Sequence, residues 1–144
     1  MKKMICLIAV ALMVASVALA APKMAITAKD LPALKGTWTG ILGFGVTEQG
    51  GSSPAKLEIL NDTVPVKFKF TITDVPQQIA SQTGGQAGQN VIEGEFVLTT
   101  QGTLMFMGAA KNFFEVSLTS KDKINIWYIY NILRGDGSFS KKKK

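Results

Sequence analysis

The chain has 144 residues, a formal net charge of +6, a single cysteine, Cys6, and no histidine. Without histidine it lacks the commonest general base and the commonest metal ligand, and with one cysteine it cannot form an internal disulfide. The composition therefore argues against an enzyme or a metal site and predicts a fold stabilised by packing and strand pairing.

Residues 1–20 have the pattern of a cleavable secretory signal peptide. Lys2 and Lys3 precede an apolar stretch over residues 4–17, and residues 18–20 supply the small side chains that signal peptidase reads. A membrane-spanning helix needs about 20 apolar residues, so this stretch is short for an anchor. We expect cleavage after residue 20 or 21 and export to the periplasm or the extracellular space.

Removal of residues 1–20 leaves 124 residues, enough for one domain with a buried core. Residues 21–35 are expected to be a lead-in that is flexible over residues 21–29 and ends in a short helical turn, because Asp30 suits an N-cap and Pro32 suits a first turn. Residues 36–140 are expected to form a β-domain. Ten basic and ten acidic residues lie between residues 21 and 140, so this body is formally neutral and predicts no nucleic-acid partner.

Residues 141–144 are four lysines and are expected to be a solvated, disordered tail. The alternative is contact with an anionic membrane surface or another polyanion, where each lysine near the charged surface contributes about 1 kcal/mol.

The β-domain is predicted from alternation of apolar and polar residues. In residues 66–73, Val66, Phe68, Phe70 and Ile72 share one face, and lysines and threonines share the other. The same period of two predicts five further strands, each with apolar residues on one face. These residues are, strand by strand, Trp38, Leu42 and Phe44; Leu57 and Ile59; Ile92, Phe96 and Leu98; Phe114, Val116 and Leu118; and Ile124, Ile126, Tyr128 and Tyr130.

Two of the strands are less well defined. Residues 103–108 form a fifth strand whose facing is open, because Met105 and Met107 alternate with Leu104 and Phe106. Residues 138–140 begin an eighth strand after a Gly-Asp-Gly turn at 135–137.

Short breaks with turn residues at 61–62, 101–102, 120–123 and 135–137 predict antiparallel hairpins between sequential strands. Residues 45–53 and 75–89 are expected to be longer surface loops. Strands joined in this way can form a sandwich or a barrel, and closure into a barrel leaves no exposed edge. We therefore expect an all-β, eight-stranded antiparallel up-and-down barrel with a short helical turn before the first strand.

Residues 34–40 resemble the opening strand of the lipocalin and calycin group, where a short helical turn precedes a Gly-x-Trp motif, here Gly36 to Trp38. The resemblance implies a lipocalin-like barrel with an interior site for a small, usually apolar molecule. It also implies that Trp38 closes the barrel floor and that a basic residue near the last strand packs over it. Arg134, the only arginine, is expected to be that residue, and Gly36, Trp38 and Arg134 together would form a structural closure.

The candidate ligand-binding residues are aromatic side chains of the predicted inner face. An eight-stranded barrel has an interior that is either filled by side chains or holds one small ligand. Glu93 and Glu95 share the face opposite Ile92 and Phe96, so they are expected in water and not as a catalytic pair. The inner aromatic residues are Trp38, Phe68, Phe70, Phe96, Phe106, Tyr128 and Tyr130.

Two functions are consistent with these features. The first is an exported, lipocalin-like, non-enzymatic protein that binds a small apolar ligand without a cofactor, with the loops at 45–53 and 75–89 forming its mouth. The alternative is an envelope-associated or secreted interaction protein with a filled barrel that acts through its outer surface. The second is motivated by Met105, Met107, Trp127 and Ile129, which would form an apolar outer face. The oligomeric state is left open.

Overall fold

The computed structural model of the protein describes residues 22–45, 51–77, 80–81, 87–108, 112–130 and 133–143, with backbone only for Tyr130 and Leu133. The expected signal peptide lies outside these residues. Export therefore stays a prediction from the sequence.

The described strands form a closed barrel. Each strand pairs antiparallel with the next, and the last pairs with the first, which confirms the expected eight-stranded up-and-down order. A 3₁₀ turn (Ala28–Asp30) and the one-turn helix α1 (Leu31–Leu34) come before the first strand, as expected. The strands are β1 (Gly36–Gly45), β2 (Gly51–Ile59), β3 (Val66–Val75), β4 (Gly88–Leu98), β5 (Leu104–Met107), β6 (Asn112–Ser120), β7 (Lys123–Tyr130) and β8 (Leu133–Lys141).

The core lies inside the barrel because each strand turns its apolar face inward. In β3, Phe68 and Phe70 are buried, whereas Lys67 is exposed and Lys69 lies opposite Glu93 on the outer face. The Lys69 ammonium is 3.2 Å from the Glu93 carboxylate, an exposed pair of the kind that contributes little to stability. The stabilisation of the sheet therefore comes mainly from the buried face.

Alternation did not show which side chains of β5 point into the barrel, and the pairing of β5 with β6 does. Leu104 pairs with Val116 and Phe106 with Phe114, and these side chains turn toward the core. Met107 is 76% exposed on the other side.

The two ends of the barrel differ. The 3₁₀ turn, α1, the β2–β3, β4–β5 and β6–β7 turns and the residues after β8 lie at one end, which we call the closed end. The other four connections lie at the opposite end, the loop end, and each contains residues outside the described ranges. Ala80, in the β3–β4 connection, is 2% exposed and belongs to the barrel core.

The segment before the 3₁₀ turn is held against the barrel, so the expectation of a flexible lead-in is wrong for its described residues. The Met24 amide donates to the Leu118 carbonyl at 2.7 Å, and the Ile26 amide donates to the Gly102 carbonyl at 2.8 Å. Ile26 is also buried in the core. Hydrogen bonds from the side chain and the amide of Thr27 lower the pKa of the Asp30 carboxyl and fix the start of the 3₁₀ turn.

The last strand is longer than expected. The glycines at 135 and 137, expected in a turn, lie inside β8, where a Cβ on Gly137 would overlap the carbonyl oxygen of Ile41 in β1. Glycine is therefore needed at this position for the close approach of the two strands.

The lysines after residue 140 also differ from the expected free tail. Lys141 is the last residue of β8, and the Lys142 amide donates to the Thr37 carbonyl at 2.9 Å. Residues 141 and 142 are thus part of the folded barrel, and Lys144 lies outside the described residues.

Candidate functional site

The predicted inner aromatic side chains meet inside the barrel. Trp38, Phe70 and Phe96 have no exposed surface, and Tyr128 is 5% exposed. Phe68 is buried as well, and Phe106 is partly buried against the same core. The side chain of Tyr130 lies outside the described atoms. The predicted set is therefore brought together in the interior, as far as it is described.

These rings contact one another and occupy the middle of the barrel. The Phe68 and Phe96 rings stack with centroids 4.0 Å apart, and Phe114 lies 5.5 Å from Phe68 and 5.4 Å from Phe96. Phe70 lies 4.6 Å from Phe114. Aromatic pairs in packed protein cores have centroids about 4.5–7 Å apart, and the distances here lie within or just below that range, so this cluster has the spacing of a packed core.

Phe114 and Phe139 are central members of this cluster that the list of candidate residues missed. Both are almost fully buried, and Phe139 lies 6.2 Å from Phe70. The alternation of Phe114 with Val116 and Leu118 already indicated its inward facing. Phe139 has only the short Ser-Phe-Ser pattern as a signal.

A polar atom lies toward the loop end of this interior. The side-chain oxygen of Asn112, at the start of β6, is buried and has no hydrogen-bond partner among the described residues. A buried acceptor without a partner costs about 1–3 kcal/mol, so a donor from a ligand or a water would be stabilising there.

The closed end is sealed by Trp38. Its indole Nε1 donates to the Leu34 carbonyl at 2.8 Å, which ties β1 to α1. The Lys141 Nζ lies 5.5 Å from the centre of the Trp38 ring and donates to the Ala33 carbonyl. A cation, an aromatic face and a helix end therefore close the barrel together.

The basic residue over Trp38 is Lys141, so the expectation that Arg134 has this position is wrong. Arg134 pairs with Gly45 at the loop end, whereas Lys141 pairs with Trp38. Seven residues of strand separate the two, which is about 23 Å at the rise of an extended chain. Gly36, the third residue of the predicted closure, lies at the start of β1 with a φ of +129° and next to the Lys141 side chain.

The outer surface of β5, β6 and β7 carries a group of apolar side chains. Phe113 pairs with both Met107 and Ile129, which aligns three strands in one row. The Phe113 and Trp127 rings meet edge to face at 5.4 Å, and Trp127 remains 44% exposed. We call this group the β5–β7 apolar face; it consists of Met105, Met107, Phe113, Trp127 and Ile129.

A surface groove of about 500 Å³ adjoins this face at Trp127. Trp127 lies in register between Glu115 on β6 and Asp136 on β8, so a carboxylate flanks the indole on each side. Lys23 lies 3.8 Å from Glu115 and also lines the groove. The groove thus combines an exposed aromatic ring with charged walls.

Comparison with known proteins establishes the fold alone. The chain is similar to a redesigned β-barrel of known structure, with a TM-score of 0.55 and 14% sequence identity over 85% of this chain and 100% of that chain. No protein-family model matches the sequence, and no curated protein matches it. The eight-stranded barrel expected from the lipocalin resemblance is therefore confirmed as an architecture.

Among the described residues, no group of three or more histidine, cysteine, aspartate or glutamate side chains is placed to hold a metal ion. In the same residues, no helix has the length and apolar character needed to cross a bilayer.

Proposed function

We propose that the protein is an exported, non-enzymatic interaction protein that binds a partner protein through the β5–β7 apolar face. The observation that carries this proposal is the exposed Trp127, packed against Phe113 and flanked by two carboxylates. The signal-peptide pattern of residues 1–20 supports export.

The composition of the face supports a protein partner. Interface cores are enriched in aromatic residues and methionine, and tryptophan is frequent among the residues that dominate binding energy. Methionine is flexible and polarizable, which suits it to contact with apolar side chains of a partner. The ring contacts inside the barrel support the same proposal. Because these rings occupy interior space that a ligand would need, they favour binding at the outer surface.

The charges around Trp127 indicate what the partner presents. Asp136 lies on one side of the indole and forms no ion pair with a described residue, Glu115 on the other side is paired with Lys23, and the ring face itself attracts a cation. An arginine or lysine beside an apolar side chain would satisfy both features. We therefore propose that the face binds a partner segment that combines an apolar anchor with a basic residue.

Selection of a phage-displayed random peptide library against the immobilised mature protein tests this proposal. We expect enriched peptides in which arginine or lysine neighbours an aromatic or aliphatic residue. Truncation Trp127→Ala should weaken the binding of a selected peptide by about 2 kcal/mol, which is roughly 30-fold in Kd, because the indole is the central contact.

Val91→Ala is the matched control. Val91 is an exposed apolar residue of β4, with 47% exposure against 44% for Trp127, and it lies outside the β5–β7 apolar face. Peptide binding should survive this change. Equal losses in both variants, or enrichment of acidic peptides, would contradict the proposed site.

A second candidate is the lipocalin-like one, in which a small molecule binds inside the barrel. It is supported by the opening-strand resemblance at Gly36 and Trp38 and by the Asn112 oxygen at the loop end, which has no hydrogen-bond partner among the described residues. Its ligand would combine apolar surface with one hydrogen-bond donor. Native mass spectrometry of the mature protein from its own host tests this idea: an adduct that is lost on unfolding supports it, and a clean protein mass supports the outer-surface proposal.

A further inference from the structure

Positive charge is concentrated at the closed end of the barrel. Among the described residues, the 3₁₀ turn, Lys35, the three turns of this end, the terminal residues of the strands that adjoin them and the residues after β8 carry seven lysines and three aspartates, whereas the remainder carries five basic and six acidic residues. The barrel is thus positive at one end and close to neutral elsewhere. The lysines are Lys29, Lys35, Lys121, Lys123, Lys141, Lys142 and Lys143, and the aspartates are Asp30, Asp62 and Asp122.

Several of these lysines line a groove with a fixed backbone. The groove has a volume of about 660 Å³ and is lined in part by Lys35, Lys142 and Lys143. Lys142 is held to Thr37 through its amide, and the Lys141 amide donates to the Asp122 carbonyl at 3.1 Å. Their charges therefore gather at one place on the surface and are not spread along a free tail.

The exposed lysines of this groove differ from most of those on the barrel wall. Within the described part of the chain, ion pairs join Lys23, Lys56 and Lys69 to glutamates of the wall. Lys141 is engaged with Trp38 and the Ala33 carbonyl. The ammonium groups of Lys35, Lys142 and Lys143 form no ion pair with any described residue.

Exposed apolar side chains lie at the same end of the barrel as this charge. Leu60 and Val64, in the β2–β3 turn, are 53% and 50% exposed. Gly36, which lines the groove, pairs with Ile59, and Leu60 is the residue that follows Ile59 in the chain.

The turn that presents them is held by its own hydrogen bonds. The Asn61 side chain accepts from the Lys67 amide at 2.6 Å and donates to the Thr63 and Pro65 carbonyls, both at 3.1 Å. A fixed turn with exposed apolar side chains therefore lies at the closed end, next to the strand position that pairs with Gly36 of the groove.

We propose that the closed end docks on an anionic lipid bilayer. Lysines near such a surface are attracted by its negative potential, and apolar side chains next to them enter the boundary between headgroups and acyl chains. A soluble polyanion would use the lysines but would gain nothing from Leu60 and Val64. The pairing of the two features therefore favours a membrane surface. This proposal uses a different surface from the β5–β7 apolar face and does not depend on it.

Flotation of the mature protein with vesicles tests the proposal. We expect binding to vesicles of phosphatidylcholine mixed with phosphatidylglycerol, weakening as salt is added, and no binding to phosphatidylcholine alone. The triple variant Lys35→Gln, Lys142→Gln, Lys143→Gln should lose roughly 100-fold in partition coefficient, since each lysine near the surface contributes about 1 kcal/mol.

A matched variant controls for overall charge. Lys56→Gln, Lys69→Gln, Arg134→Gln removes the same charge from the wall of β2 and β3 and from the loop end, and should leave vesicle binding close to that of the unmodified protein. Equal losses in the two triple variants would overturn the proposal, because net charge alone would then explain binding.

A double variant separates a bilayer from a soluble polyanion. Leu60→Ser, Val64→Ser should weaken binding to anionic vesicles and leave binding to inorganic polyphosphate unchanged. If vesicle binding is also unchanged, or if the unmodified protein binds polyphosphate and no vesicles, the closed end is a polyanion site and the membrane proposal is wrong.

Discussion

At the scale of single residues, Trp38 organises the closed end. Its indole hydrogen bond reaches α1, and Lys141 lies over its ring. The sequence motif predicted a tryptophan at the floor and a basic residue over it. It assigned that position to Arg134, which is wrong, because a run of lysines after the last alternating segment has the composition of a solvated tail. Only the strand pairing brings Lys141 to Trp38.

Replacement of Lys141 by methionine tests this closure. Lys141→Met keeps an apolar stem but removes the cation over the ring and the bond to the Ala33 carbonyl, so we expect a loss of about 1–2 kcal/mol in the free energy of unfolding. Arg134→Met removes a charge from an exposed position at the loop end and should change stability by less than about 0.5 kcal/mol. Urea unfolding curves measure both; a larger loss for Arg134→Met would refute the assignment.

At the scale of strands, alternation of apolar and polar residues predicts most of the barrel. It failed where the pattern is short or interrupted. The four residues of β5 are all apolar, so only the register with β6 shows that Phe106 faces inward. The glycines of β8 suggested a turn. Glycine is needed at position 137 because β1 approaches closely there, and the sequence of β8 alone gives no sign of that approach.

Alanine at Gly137 should therefore destabilise the pairing of β1 with β8. The new methyl group would overlap the Ile41 carbonyl oxygen, and relief by backbone movement is expected to cost about 1–3 kcal/mol. At Gly45 a Cβ would meet no described atom within 4 Å, so Gly45→Ala should change stability by less than about 0.5 kcal/mol. Thermal unfolding of the two variants compares them directly. Similar effects at both positions would show that close approach is not what requires glycine at position 137.

At the scale of the whole molecule, the question is whether the barrel is filled. The sequence could not decide it, because filling depends on how side chains from opposite strands meet across the interior. The stacked Phe68, Phe96 and Phe114 rings provide that information, and they favour a packed core over a cavity in the part of the interior that they occupy. The likeness to a redesigned barrel concerns the architecture and carries no information on a ligand.

Truncation of Phe114 tests the filled interior. Because the ring contacts Phe68, Phe70 and Phe96, Phe114→Ala should lower the free energy of unfolding by about 3–5 kcal/mol, the cost of removing a core phenylalanine. Phe113→Ala is the neighbouring control on the outer face and should cost less. Denaturant titration gives both values, and a cost for Phe114→Ala no greater than for Phe113→Ala would argue against a packed interior.

Closure of the barrel also has a consequence for the order of folding. The pairing of β1 with β8 joins residues as far apart as Trp38 and Lys141, while every other pairing joins neighbours along the chain. Contacts between distant segments form slowly, since a long loop must close before they contribute. Pairing of the last strand therefore completes the barrel. Before β8 pairs, β1 and β7 expose unpaired backbone that can form hydrogen bonds with another copy of the chain. Self-association is therefore expected only from the state in which β8 is unpaired, and faster pairing of β8 should reduce it.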